Sequence, residues 1–329
     1  MADAPPHRPR GLGPHVVGRR VVVRRVLPGR RGPSGGPAMT DLLGVCTAWG
    51  EATCVVQPET GPPVTIALAD IVSGKPVPPR PSVRLRVSAR DAELHVASLF
   101  GEMEAEPLGA WALRCAPPYG GRLRRRANSV LAMGDPGLPL DAALAAVRDF
   151  YAARNRPPLA QVEVGSDVDR ALVAAGWEPL ETGAAAYLVA SVARAVRSCD
   201  AELSGPGSSR ERPPPPTAPR HLDDGPRTTV ELTTPDGEVV ASGVAALDGD
   251  WVGLHALHVA EEHRGAGLGT ALLAELLDGA ASRGATTAWL HVELENVRAQ
   301  ALYERLGFAE HHTSRYLRDI RERAATDPA

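Results

Sequence analysis

The stretch HRGAGLGTALL, residues 263–273, sets three glycines in five positions between an alternating apolar run and a leucine-rich helical one. A turn this rich in glycine calls for backbone angles that side chains forbid, so the chain passes there from strand to helix through a tight loop. Successive N–H groups of such a loop converge on one point, and the dipole of the following helix adds partial positive charge. The stretch therefore predicts an anion cradle heading a helix within an α/β layer.

The flanks extend the pattern. TTVELTTPDGEVVASGVAALDGDWVGLHALHV precedes the loop, and its alternation and two Asp-Gly turns predict an antiparallel meander. LGTALLAELLDGAASRG predicts a helix ended by Gly284, TTAWLHVEL a strand, VRAQALYERLG a helix ended by Gly307, and RYLRD a last strand. A dinucleotide-binding turn has a similar layout, with Glu293 ending the next strand. Two features argue against it: Thr270 stands where the third glycine of that fingerprint belongs, and AEEHR separates strand from glycines.

Upstream, composition divides the chain. Residues 1–10, MADAPPHRPR, predict a disordered N-terminus. Residues 11–83 hold short β-branched runs between Gly/Pro turns and predict a small all-β, SH3-like barrel, with SGKPVPPRPS (73–82) as a stiff exit linker. A start at Met39 would delete the first strand, so residues 11–38 stay with the barrel. Residues 92–195 alternate helix and strand: AELHVASLFGEME as a helix, AWALRCA and RLRRRANSVLAM as strands, then helix, strand, helix, strand through AAAYLVASVA. Residues 196–227, with four consecutive prolines, predict a flexible linker.

Arg264, Gly267 and Gly269 form R-x-x-G-x-G, and NVRAQALYERLGF (296–308) carries an Asn, an Ala three on, a Tyr seven on and a closing Gly-Phe. In this order the two motifs resemble the GNAT superfamily of acetyl-CoA-dependent N-acetyltransferases over residues 228–320. The implied fold is α/β (α+β), a GNAT fold in tandem halves preceded by the barrel; residues 92–195 are the degenerate half, because AMGDPGLPLD replaces the cradle and RALVAAGWEP lacks the tyrosine. The resemblance also extends to bacterial acetyltransferases with an SH3-like barrel before tandem halves.

The resemblance implies that acetyl-CoA is the cosubstrate, that main-chain groups at Leu257 and Val259 hold its arm, and that the N–H groups of Arg264, Gly265, Ala266, Gly267, Leu268, Gly269 and Thr270 take the pyrophosphate. Asn296 caps the helix, contacts the cofactor, or both. Tyr303 is the implied acid that protonates the departing thiolate. The base is open among His255, which strand alternation would set on one face with Leu257 and Val259, Glu293, acting through water, and Asp250. His311 and His312 are expected on the loop before the last strand.

Composition excludes other classes. A net charge of −3 gives no global attraction for nucleic acid. Arg19, Arg20, Arg24 and Arg25, and Arg122, Arg124, Arg125 and Arg126, lie on predicted strands without interleaved aromatics, so base stacking is unsupported. Cys46, Cys54, Cys115 and Cys199 form no C-x-x-C pair and no metal-ligand spacing, which predicts plain thiols in a cytoplasmic setting and no metal. No apolar run reaches membrane-span length. The alternative to an N-acetyltransferase acting on a small-molecule or protein amine is a non-catalytic acetyl-CoA-sensing module whose basic barrel contacts nucleic acid or a protein partner. The sequence names neither the acceptor nor the oligomeric state.

Overall fold

In a computed structural model the described residues are 12–31, 35–58, 60–77, 83–205 and 214–320. The predicted N-terminal disorder lies outside them, as do residues 78–82 at the end of the 73–82 linker and Pro213 at the start of the tetraproline stretch. The chain divides into two compact units, Met1–Pro81 and Ser82–Ala329.

The first unit is one antiparallel sheet of β1 (Arg20–Arg31), β2 (Pro37–Trp49), β3 (Thr53–Pro58), β4 (Val64–Ala67) and β5 (Ile71–Pro76), in the order β4-β3-β2-β1-β5. Its inward side chains, Val21, Val23, Cys46, Cys54, Val56 and Ile66, are buried. The alternation read from the valine-rich runs thus produces one apolar face. Among the described residues no ladder joins β4 to β5, so the pairing is an open path rather than the expected closed barrel.

In the second unit one twelve-stranded sheet holds β6 (Glu104–Leu108), β7 (Trp111–Cys115), β8 (Val130–Leu131), β9 (Leu159–Glu163), β10 (Trp177–Pro179), β11 (Ala185–Ser191), β12 (Ala218–Asp224), β13 (Arg227–Thr233), β14 (Val239–Asp248), β15 (Trp251–Val259), β16 (Thr287–Glu293) and β17 (Ala309–Asp319). Six helices flank it: α1 (Ala89–Leu94), α2 (Leu140–Ala152), α3 (Asp167–Ala174), α4 (Val192–Ser204), α5 (Leu268–Ser282) and α6 (Val297–Arg305). Ser88 and Ser166 cap α1 and α3 by accepting from the backbone N–H three residues on.

Two strands are exchanged between the halves. β11, from the amino-terminal half, pairs with β16 on one edge and β17 on the other. β17, the last strand of the chain, returns to pair with β9 and with β10. Six of the seven β11 residues are buried, as a strand covered on both faces requires. One core packs α4 and α5 on one face of the sheet, through Leu254, Leu272, Leu276, Leu290 and Ala195. On the other face Trp289, Tyr187 and Val189 pack against Ala92, Val96 and Leu99.

Several expectations are corrected. The predicted linker 196–227 contains the end of α4 and all of β12. β12 was illegible because all seven of its residues are exposed, so it has no apolar alternation. Arg122, Arg124, Arg125 and Arg126 precede β8 on a loop and a 3-10 turn at Arg125–Ala127, not on a strand. His311 and His312 lie within β17, because that strand starts at Ala309. The helix read over 92–104 is a short α1 continued by a 3-10 turn, His95–Leu99, and Glu104 opens β6.

Candidate functional site

The site begins where β15 leaves β16. The two strands pair in parallel from Trp251↔Thr287 to Leu254↔Leu290, and no rung follows. Just beyond, Ala256 adopts a left-handed φ of 52°. On the other side of β15 the register with β14 slips between Val244↔His255 and Ser242↔His258, so two residues oppose Gly243. A left-handed non-glycine at a bulge costs on the order of 1–2 kcal/mol, and bulges re-aim the side chains that follow. The slip corrects the face argument for His255: Leu254, Leu257 and Val259 all join the α5 core, so His255 lies on the opposite face from Leu257 and Val259.

After β15 a 3-10 turn, Glu261–His263, leads into the glycine loop. Gly265 and Gly267 take φ of 81° and 82°, and Gly267 is the N-cap of α5. Two left-handed residues so close to a helix start are the kind of turn that converges amides into an anion-binding concavity. No side chain caps α5, which leaves its first N–H groups available to a ligand.

A groove of about 640 Å³ opens over this turn. It is lined by Leu257 and Val259 of β15, by Arg264 and Gly265 and the first turn of α5 through Thr270, and by Asn296 and Tyr303 of α6. Ala266 is the exception among the loop residues: it is buried in the core and anchors the turn from below. The Asn296 side chain accepts from Ala299 N–H at 3.1 Å, so it caps α6 while facing the groove. Tyr303 sits edge-on to Phe308, and burial pushes its hydroxyl up to about 12, keeping it protonated. Arg264, Arg298 and Arg305 bring positive charge to the lining, which fits an anionic ligand.

His255 and Glu293 do not line the groove. Glu293 is exposed, and its carbonyl accepts from Asn296 N–H and Gln300 Nε2. Burial, with Arg124, Arg126 and Arg227, pushes His255 down to about 4, and its Nε2 is buried without a partner. Asp250, on the turn between β14 and β15, accepts from Thr286 Oγ1 and is occupied in that turn.

Glu202 and Leu203 of α4 also line the groove, and sequence reasoning missed them because they fell in the supposed linker. Also missed was a buried set on the far face, where Glu93 of α1 meets His291 of β16 and His312 of β17. Among the described residues one group, Glu238, Glu262 and His263, brings three potential metal donors within 4.8 Å of one another, two of them exposed.

The family model described as "Acetyltransferase (GNAT) family" matches residues 196–308. A protein of Mycobacterium tuberculosis, described as a probable histone acetyltransferase, is 30% identical across 92% of this chain and 95% of its own length. The chain belongs to the GNAT acetyltransferase family. The family is one of acetyltransferases. An Escherichia coli [ribosomal protein bS18]-alanine N-acetyltransferase is 39% identical over 77 residues, 23% of this chain and 52% of that protein. The chain spans about half or less of the length of several curated relatives it matches. The fold agrees with a solved GCN5-related N-acetyltransferase from Kribbella flavida, at a TM-score of 0.53 and 18% identity, over 71% of this chain and 95% of that one. No described helix is long and apolar enough to cross a membrane.

Proposed function

We propose that the enzyme transfers the acetyl group of acetyl-CoA to an amine by direct attack within a ternary complex. The observation that carries this reading is the single groove that joins the glycine cradle to Tyr303. The cradle suits a pyrophosphate because Gly265 and Gly267 hold amides outward at angles closed to other residues. Main-chain groups at Leu257 and Val259 hold the pantetheine arm where β15 has parted from β16, with the Val259 N–H as oxyanion donor. Tyr303 gives its proton to the departing thiolate. Asn296 serves as cap and cofactor contact together. Of the sequence-derived bases, Glu293 would reach the groove only through water, and His255 lies across the sheet from it.

The amino-terminal half is read as a degenerate GNAT half. In its loop before α2 the Asp135 carboxylate accepts from Gly137 N–H at 2.8 Å, so an acid occupies the amide that a phosphate would need. The first unit is read as an SH3-like accessory, and the setting as cytoplasmic. Two relatives are named for protein acceptors, which supports including protein amines in the test. Thiol release from acetyl-CoA is measured with small amines, amino-terminal peptides and lysine peptides, alongside acetyl-CoA binding by calorimetry. Turnover with at least one amine supports the reading. Tight acetyl-CoA binding with no turnover on any amine overturns it in favour of a sensing module.

A further inference from the structure

Beyond its glycine cradle the groove is bounded on two sides. On one stand Leu257, His258 and Val259 of β15. The other is formed by Arg298, Leu302 and Arg305 of α6 together with Glu202 and Leu203 of α4. The helix α6 serves both sides because three- and four-residue steps give it two neighbouring stripes. Asn296, Ala299 and Tyr303 make one, and Arg298, Leu302 and Arg305 make the next. Tyr303 is buried, whereas both arginines are exposed. They lie two turns apart, about 10.5 Å along the axis, a separation that two arginine side chains can close around one anion.

Arg305 is held by an acid. Its Nε donates to Glu202 Oε1 at 3.2 Å and its Nη1 to the Ala301 carbonyl at 3.1 Å, while Nη2 makes no hydrogen bond among the described residues. Glu202 is the single acid among the described residues that line the groove. It sits in the last turn of α4, where the helix dipole disfavours a carboxylate and no basic residue accompanies it. The stability of α4 therefore does not account for it. What Glu202 does is neutralise one of the arginines of a groove whose remaining charge suits an anion.

Acetyl-CoA carries charge in two places, the pyrophosphate and a monoester phosphate on the ribose 3′ oxygen, the latter close to a dianion at neutral pH. With the pyrophosphate in the cradle and the thioester arm along β15 toward Tyr303, the adenosine end is left the side between α6 and α4. We propose that Arg298 and Arg305 receive the 3′-phosphate and that Glu202 is the group it displaces from Arg305. The assignment rests on the cofactor reading above and deepens it. The phosphate gains a forked guanidinium partner, and the Glu202 carboxylate is released to solvent. A carboxylate that holds Arg305 until a phosphate arrives weakens every nucleotide, but it weakens most the one that needs Arg305. It thereby sets how strongly the enzyme prefers a 3′-phosphorylated cofactor.

The test is calorimetry without any amine, comparing acetyl-CoA with 3′-dephospho-acetyl-CoA on the parent, E202Q, R305Q and the double variant. The parent should bind acetyl-CoA about tenfold more tightly than the dephospho compound. E202Q should strengthen acetyl-CoA by about two- to fivefold, the scale of one exposed ion pair, and change the dephospho compound by less than that. R305Q should bring the two ligands within about twofold of each other, and in its background E202Q should no longer alter their ratio. R305K, which keeps the charge, should keep most of the preference. A parent that binds both ligands equally overturns the inference, as does an E202Q that leaves their ratio at the parent's value or an R305Q that retains it. A parent that binds neither ligand overturns the cofactor reading, and this inference with it.

Discussion

Splitting the exchanged strands should abolish the fold of the half that carries the glycine loop. A fragment of residues 214–329 retains the cradle, Tyr303 and most of the family-matched segment, yet it lacks β11 and α4. β11 contributes seven rungs to β16, from Ala185↔Glu293 to Ser191↔Thr287, and five to β17, so its removal strips backbone partners from both strands. Three of its large side chains, Tyr187, Leu188 and Val189, are buried. At about 1.5–3 kcal/mol for each buried side chain, their loss alone comes to roughly 5–9 kcal/mol. That rivals the roughly 5–15 kcal/mol by which a domain is stable, before α4 and the orphaned backbone groups are counted. Circular dichroism in the near ultraviolet and acetyl-CoA calorimetry on the fragment provide the assay, and residues 82–204 added in trans should restore both signals. Deleting residues 1–81 removes no strand of the twelve-stranded sheet and should leave a folded, acetyl-CoA-binding protein. A 214–329 fragment that melts cooperatively and binds acetyl-CoA by itself would refute the reasoning.

Gly267→Glu forces a side chain into a φ of 82° and a negative charge into the cradle, so acetyl-CoA affinity should drop at least 100-fold in calorimetry while the melting temperature falls only by the few degrees that about 1–2 kcal/mol of backbone strain implies; unchanged affinity removes the cradle from the site. Tyr303→Phe keeps the edge contact to Phe308 and deletes the hydroxyl, so affinity should hold and kcat should fall about 10²–10⁴-fold; a parental kcat at every pH makes Tyr303 a packing residue. Acid should destabilise early. Burial holds His255 and His291 near 4 against an ordinary 6.5, so the unfolded chain binds more protons over that interval, and stability falls as pH drops from about 6.5 to about 4. For fully buried His291 the loss approaches about 3 kcal/mol. Burial disfavours the Glu93 carboxylate, but the two imidazoles that face it more than offset this and keep its pKa well below the ordinary range, so its contribution is lost later, as pH falls below the unfolded value of about 4.3. A melting temperature unchanged between pH 7 and pH 5 would contradict this.

What the sequence disclosed follows the range of the interactions involved. Gly284 and Gly307 end α5 and α6 at φ of 93° and 88°, and Gly237 and Gly249 turn the meander at 91° and 59°. Each is a local demand for a left-handed angle, readable in one or two residues. The groove around Leu257, Arg264, Thr270 and Tyr303 was legible because two motifs at a fixed spacing lie on adjacent elements. Partner choice was not. AAAYLVASVA reads as a buried strand, yet nothing in ten residues says whether β16 or β9 lies beside it. The bulge at Ala256 was equally hidden, since alanine carries no mark of a left-handed angle, and it inverted the face assigned to His255. Glu93 and His291 stand 198 residues apart, and only the exchanged sheet brings them to 2.9 Å.

The amino-terminal half cannot be discarded from this fold. Its strand β11 closes the sheet beside β16, and its helix α4 lines the groove through Glu202 and Leu203. In return β17 fills the gap between β9 and β10, with Tyr316, Leu317 and Asp319 buried among the elements of the first half. Arg148 of α2 meets Asp319 at 2.5 Å, and Arg315 pairs with Asp169 at the head of α3, so ion pairs as well as rungs cross the junction. Each half is therefore missing a strand that the other supplies, and neither buries its sheet alone. A half held in place by this exchange stays in the fold whatever its own loops bind, and its position against the far face of β16 is what brings Glu93 to 2.9 Å from His291.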